Sequence, residues 1–136
     1  QGSAEMARQA IALTDACESY NRGYAQQLKG DWDGALTNYE KAIKCRPDYA
    51  EGYAGRAAVE RKKGDLNGAK DDYDQALALK PKLGEALASE FEMLGCLYYE
   101  RQQFTNALSS FQKACELVPA LRDHNSRNEI RLRPYG

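Results

Sequence analysis

The sequence predicts an all-α fold, an α-solenoid built from stacked antiparallel helix pairs, on three observations. A unit recurs three times along the 136 residues. Each copy holds two stretches of helical periodicity parted by a polar turn, and a proline closes each copy.

The recurrence is read directly from residue numbers. Gly30-Asp31-Trp32-Asp33-Gly34-Ala35-Leu36 aligns with Gly64-Asp65-Leu66-Asn67-Gly68-Ala69-Lys70, an offset of 34 that Pro47 and Pro81 share. Tyr39 with Tyr73 and Ala42 with Ala76 keep that register. The third copy, Phe104-Thr105-Asn106-Ala107-Leu108 followed by Phe111, Ala114 and Pro119, lies 38 residues beyond the second. Gly95 stands 12 before Ala107, as Gly23 stands before Ala35 and Ala57 before Ala69, so the four extra residues fall ahead of Gly95.

Within a unit, Tyr20, Tyr24 and Leu28 make one stripe, Gly30-Asp31 interrupts it, and Leu36, Tyr39 and Ile43 begin the next. Gly30 and Gly64 suit the left-handed residue that ends a helix, and Asp31 and Asp65 suit the cap of the one that follows. Gln102-Gln103 replaces that pair in the third unit, where a less sharply defined turn is expected. Six helices follow, over about 16–29, 33–45, 50–63, 67–79, 84–101 and 105–117. Four inserted residues add close to one turn. They predict a long fifth helix from Gly84 that keeps Leu87, Phe91, Leu94 and Tyr98 on one face, its first turn either forming a lip or packing on the helix before it.

Residues 1–136 read as one domain: an N-terminal segment 1–15, repeats over 16–49, 50–83 and 84–121, and a C-terminal cap or tail over 122–136. Gln1-Gly2-Ser3 reads as a vector-derived remnant. Met6, Ala10, Leu13, Cys17, Tyr20 and Tyr24 form one continuous stripe, yet Asp15 with Glu18 makes a capping-box pattern. Either the first helix extends backwards or a separate helix from about Ala4 to Leu13 precedes it; the separate helix is preferred. Ile130 and Leu132 among Arg122, Arg127, Arg131 and Arg133 suit a short terminal cap, a solvated tail or a contact for an acidic partner.

These units resemble the tetratricopeptide repeat. That family has small residues at the eighth, twentieth and twenty-seventh places of its unit, a large aromatic at the twenty-fourth and proline at the thirty-second. The places are filled by Gly23, Ala35, Ala42, Tyr39 and Pro47, then Ala57, Ala69, Ala76, Tyr73 and Pro81, then Gly95, Ala107, Ala114, Phe111 and Pro119. The resemblance implies a right-handed superhelix whose first helices line a concave groove that binds a protein or peptide. Carried over by position, it places Cys17, Tyr20, Tyr24, Gln27 and Leu28 there, with Glu51, Ala54, Ala58, Arg61 and Lys62, and with Ser89, Glu92, Cys96, Tyr99 and Glu100. Tyr20, Tyr24, Gln27, Arg61, Lys62, Glu92 and Tyr99 are the partner-binding candidates. One subclass grips chaperone tails through lysine, asparagine and arginine; Tyr20, Tyr24, Gly55, Ser89 and Met93 occupy those positions and match none.

Chemistry has little to work with. His124 is the lone histidine, no phosphate loop, dinucleotide fingerprint or zincin motif occurs, and Asp71-Asp72 reads as part of a solvated face. The expectation is therefore a non-enzyme with no cofactor and no metal. Acidic and basic residues balance at 20 against 19, which argues against a nucleic-acid partner, although tyrosines could stack bases. No apolar run approaches a membrane span. Cys17, Cys45, Cys96 and Cys115 lack metal-ligand spacing and are expected as reduced, helix-buried thiols, which favours the cytoplasm, an export signal lost upstream being the open alternative. The rival to a groove-binding adaptor or scaffold is a structural module that self-associates weakly through its end faces.

Overall fold

The computed structural model describes residues 2–118 and is all-α over that span. Six helices follow in order: α1 Gly2–Leu28, α2 Trp32–Cys45, α3 Ala50–Lys63, α4 Leu66–Leu79, α5 Gly84–Glu100 and α6 Phe104–Leu117, with a 3-10 turn at Pro81–Leu83 before α5. They fall into two compact units, Gln1–Pro81 and Lys82–Gly136. The expected C-terminal cap over 122–136, with its arginines and His124, and Pro119 lie outside the described residues.

In the first unit α1 pairs with α2 and α3 with α4, while α3 also packs on α2 and touches α1. Small residues make the pairing possible. Gly23, Ala35, Ala42, Ala57, Ala69 and Ala76 are all buried, and so are the aromatics Tyr39 and Tyr73. A Cβ at Gly55 would stand 2.5 Å from the Tyr39 ring, so only glycine lets α3 close on that side chain. Tyr39 and Ala35 with Val59 form the centre of the core, sealed by Tyr20, Trp32 and Leu36.

The second unit repeats the scheme with α5 and α6: Gly95, Ala107 and Ala114 are buried, and a Cβ at Gly95 would lie 2.7 Å from the Phe111 ring. The inserted residues lengthen α5 to 17 residues against 14 for α3. Its extra turn is no free lip, because Gly84 and Leu87 are buried and Leu117 of α6 lies against Gly84. Leu87, Phe91, Leu94 and Tyr98 share the buried face that the sequence predicts.

Four expectations are corrected. Residues 4–13 are not a separate helix: α1 runs unbroken from Gly2 to Leu28, with the Thr14 hydroxyl donating to the Ala10 carbonyl through the expected break. The helix runs through the Asp15–Glu18 capping pattern although Met6, Ala10 and Leu13 of the apolar stripe are exposed there. Asp72 is not on a solvated face; it is buried, whereas Asp71 is exposed. The third turn is as sharply defined as the others, with Gln102 itself at φ 61. Of the cysteines, Cys96 is exposed rather than buried, and the other three are half-buried.

Candidate interaction face

The face is built from α1 and α3. Tyr20, half-buried, anchors it: its ring lies 5.6 Å from Tyr39, 5.8 Å edge-on from Tyr49 and 6.5 Å stacked from Tyr24. Aromatic pairs at such distances add to the stabilisation from buried area and fix ring orientation. Burial is the main reason that the Tyr20 phenol titrates above its ordinary range, with Glu51 and Tyr24 adding to the shift. Tyr39 donates its hydroxyl to Gln27 Oε1 at 2.6 Å, which satisfies the buried phenol and holds the Gln27 amide. Tyr24 keeps 49% of its surface exposed, and Leu28 keeps 71%.

On α3, which touches α1, Ala54 and Ala58 are half-buried, as is Arg61 one turn further on. Lys62 Nζ stands 5.9 Å above the Trp32 ring, within the range of a cation–π contact. Beside it, Lys63 pairs with Asp33. Three basic residues in the last turn of α3 also complement the negative end of the helix dipole. α1 thus offers exposed aromatic area and the end of α3 offers basic side chains. Such a surface suits an apolar or aromatic side chain next to a carboxylate.

The candidates thus divide. Tyr20, Tyr24, Gln27, Arg61 and Lys62 all lie on α1 and α3 of the first unit. Tyr20 and Gln27 are largely committed to packing, leaving Tyr24 as the most available ring. Glu92 and Tyr99 lie on α5 of the second unit, both exposed, with Tyr99 edge-on to Phe104 at 5.3 Å. Trp32 and Tyr49 were not among the candidates, yet one carries Lys62 and the other buttresses Tyr20 and donates to Cys17 Sγ at 3.7 Å. Both adjoin turns, Trp32 after Gly30-Asp31 and Tyr49 after Pro47. Aromatics placed at such junctions were the available signal.

Among the described residues, no group of acidic, histidine or cysteine side chains is arranged to hold a metal ion, and no helix is long and apolar enough to cross a membrane.

No curated protein matches the sequence. Among solved structures, a MamA protein is 24% identical over 77% of this chain with a TM-score of 0.65. The chain spans only 55% of that structure's length, and 63% of a second MamA structure. The Arabidopsis OM64 TPR domain superposes with a TM-score of 0.65 at 22% identity, covering 79% of this chain and 86% of the domain. The first TPR of Spaghetti (RPAP3), solved bound to an HSP90 peptide, does so with a TM-score of 0.64 at 18% identity, covering 91% and 96%. At these identities the likeness speaks for the fold. The sequence itself matches the family model of the TPR repeat over residues 23–60 and that of the tetratricopeptide repeat over 50–83 and 91–120. With three repeats in register, small residues at each helix crossing and the same helical hairpins in known domains, the chain belongs to the tetratricopeptide repeat family.

Proposed function

We propose that the chain is a protein-interaction module, an adaptor or scaffold without catalytic activity, that takes a peptide or helix of a partner on the α1–α3 face. The observation that carries this reading is the exposed Tyr24 ring, stacked on Tyr20, with Arg61 and Lys62 on the neighbouring α3 as the proposed basic contacts. Pre-ordered aromatic area next to positive charge is the composition of interface hot spots. The ligand that fits has an apolar or aromatic side chain for the tyrosines of α1 and an acidic residue for the basic end of α3. Glu92 and Tyr99 are a separate set of proposed contacts on α5. The peptide-bound state of the RPAP3 domain supports the general mode. A cytoplasmic setting belongs to the same proposal.

Selection from a random peptide library, followed by calorimetry on the enriched sequences, tests it. Enrichment of acidic-aromatic peptides is expected, and the Tyr24→Ala, Arg61→Ala double variant is expected to weaken them about a hundredfold, as loss of about 3 kcal/mol at a hot spot would. Selection that enriches no sequence, or a double variant that binds unchanged, would overturn it.

A second reading, weak self-association through an end face, rests on Phe104 and Leu108, which are 57% and 59% exposed on α6. Light scattering decides it: a mass that stays at one chain over a wide concentration range removes this reading.

A further inference from the structure

Each helix pair of the first unit carries a polar contact at the same place, beside the Tyr39–Gln27 bond in the first pair. In the first pair, Asn38 Nδ2 of α2 donates to Gln26 Oε1 of α1 at 2.5 Å. A Cβ at Gly34 would lie 2.7 Å from Gln26 Nε2, so a glycine makes room for the amide. Thirty-four residues later the same slots hold Glu60 and Asp72, with Gly68 in place of Gly34. Two neutral amides have become two carboxyls.

One cation serves both. Arg56, one turn before Glu60, gives Nε and Nη2 to the two oxygens of Asp72, each at 2.8 Å. Glu60 Oε1 lies 3.7 Å from Arg56 Nε, an ion-pair distance too long for a hydrogen bond, and is buried with no hydrogen-bond partner. Around Glu60, α3 presents Arg56 and Lys63, α4 presents Asp65 and Asp72, and α2 presents Glu40. Lys63 turns to Asp33. With Asp72 holding the guanidinium by both oxygens, Arg56 offsets the charge of an ionised Glu60 only in part, and burial and Asp72 outweigh it. A hollow of about 430 Å³, lined in part by Leu36, Glu40 and Arg56, opens over the cluster and gives solvent a route to it.

We propose that the α3–α4 hairpin is a proton-operated clasp: Glu60 and Asp72 hold one proton between the helices, and its loss in alkali loosens α3 from α4 while the amide-clasped α1–α2 pair stays closed. The Glu60 carboxyl is pushed up to about 9, first by burial and then by the hydrogen bond to Asp72 and its charge. A carboxyl whose folded pKa is raised contributes stability fully present below its ordinary value, and that contribution is lost as pH rises through the folded pKa. The window therefore runs from about 4.5 to about 9. Ala54, Ala58 and Arg61 ride on α3, so the interaction face would loosen with the clasp.

Two measurements on the full chain test this: the carboxyl carbon titration of Glu60 by NMR, and amide exchange corrected for the intrinsic rate. Glu60 is expected to titrate near 9, and α3–α4 protection to fall about tenfold per pH unit between pH 7 and 9 relative to α1–α2, the slope of one linked proton. Glu60→Gln, which copies Gln26, should abolish the slope and keep the fold at pH 7. Should that variant not fold, Asp72→Asn is expected to bring the Glu60 titration down toward the ordinary carboxylate range. A wild-type Glu60 that titrates near 4.5, or an α3–α4 slope that survives Glu60→Gln, would overturn the proposal.

Discussion

The turns of the first unit and the turn of the second reach one geometry with different residues. At the ends of α1 and α3, Gly30 and Gly64 take φ of 82 and 93, and the next amides, Asp31 and Asp65, reach back to the carbonyls of Gln26 and Glu60 at 2.9 and 2.8 Å. At the end of α5, Gln102 takes φ 61 without being glycine, and Gln103 still donates to the Tyr98 carbonyl at 2.9 Å. The caps differ as well. Asp31 and Asp65 each accept from a backbone amide at 3.0 Å, whereas Gln103 makes no side-chain cap. What the two units share is the crossing, a glycine or alanine beneath a large aromatic. Packing therefore dictates the hairpin, and turn chemistry only lowers the cost of closing it.

The largest effect should come from breaking what is shared. Gly95→Ala places a methyl 2.7 to 2.9 Å from three carbons of Phe111, so the ring or the helices must move. Overpacking of this kind costs about 1–3 kcal/mol, against a gain of about 1 kcal/mol in helix propensity. A net loss of up to about 2 kcal/mol in denaturant unfolding of the second unit is expected, despite the better helix former. No loss would mean that the crossing has slack and that packing does not set the hairpin.

Repairing the turn should have the opposite sign. A left-handed conformation costs a residue with a side chain about 1–2 kcal/mol, and glycine is free of that strain but loses more chain entropy. Gln102→Gly is therefore expected to raise the stability of the second unit by about 1 kcal/mol, and Gly64→Gln to lower that of the first by a similar amount. Unequal magnitudes, read from shifts in unfolding midpoint, would show how far each unit leans on its turn.

How much was legible in the sequence follows the same division. Spacing alone placed the helices to within a residue or two from α2 onwards, because Gly, Asp and Pro punctuate the chain and the small-aromatic pairs repeat in register. The exception is α1, where Asp15 with Glu18 suggests a start that the unbroken helix does not make. Asp72 looks solvated in the sequence for a related reason: its neighbours are charged, and nothing local announces Arg56, which lies 16 residues away on another helix. On the proposed interaction face, Tyr24, Arg61 and Lys62 follow from position within the repeat. The buttresses Trp32 and Tyr49 do not, since their partners Lys62 and Tyr20 meet them only after the helices pack.

The smallest expected effect concerns the missing cap. Replacing a good cap by alanine costs about 0.5–2 kcal/mol, so Gln103→Asp would seem to promise as much in return. The first unit shows why it should deliver less. Asp31 and Asp65 bond the amides of Gly34 and Gly68, and a Cβ at either glycine would collide with the capping carboxylate. The second unit has Asn106 at that position, so the same aspartate rotamer meets a side chain. Gln103→Asp is accordingly expected to gain only about 0.5 kcal/mol, with Gln103→Ser, shorter by one atom, doing at least as well. An aspartate gain near 2 kcal/mol in chemical denaturation would show that the glycines of the first unit serve the polar contacts with Gln26 and Glu60 rather than the cap.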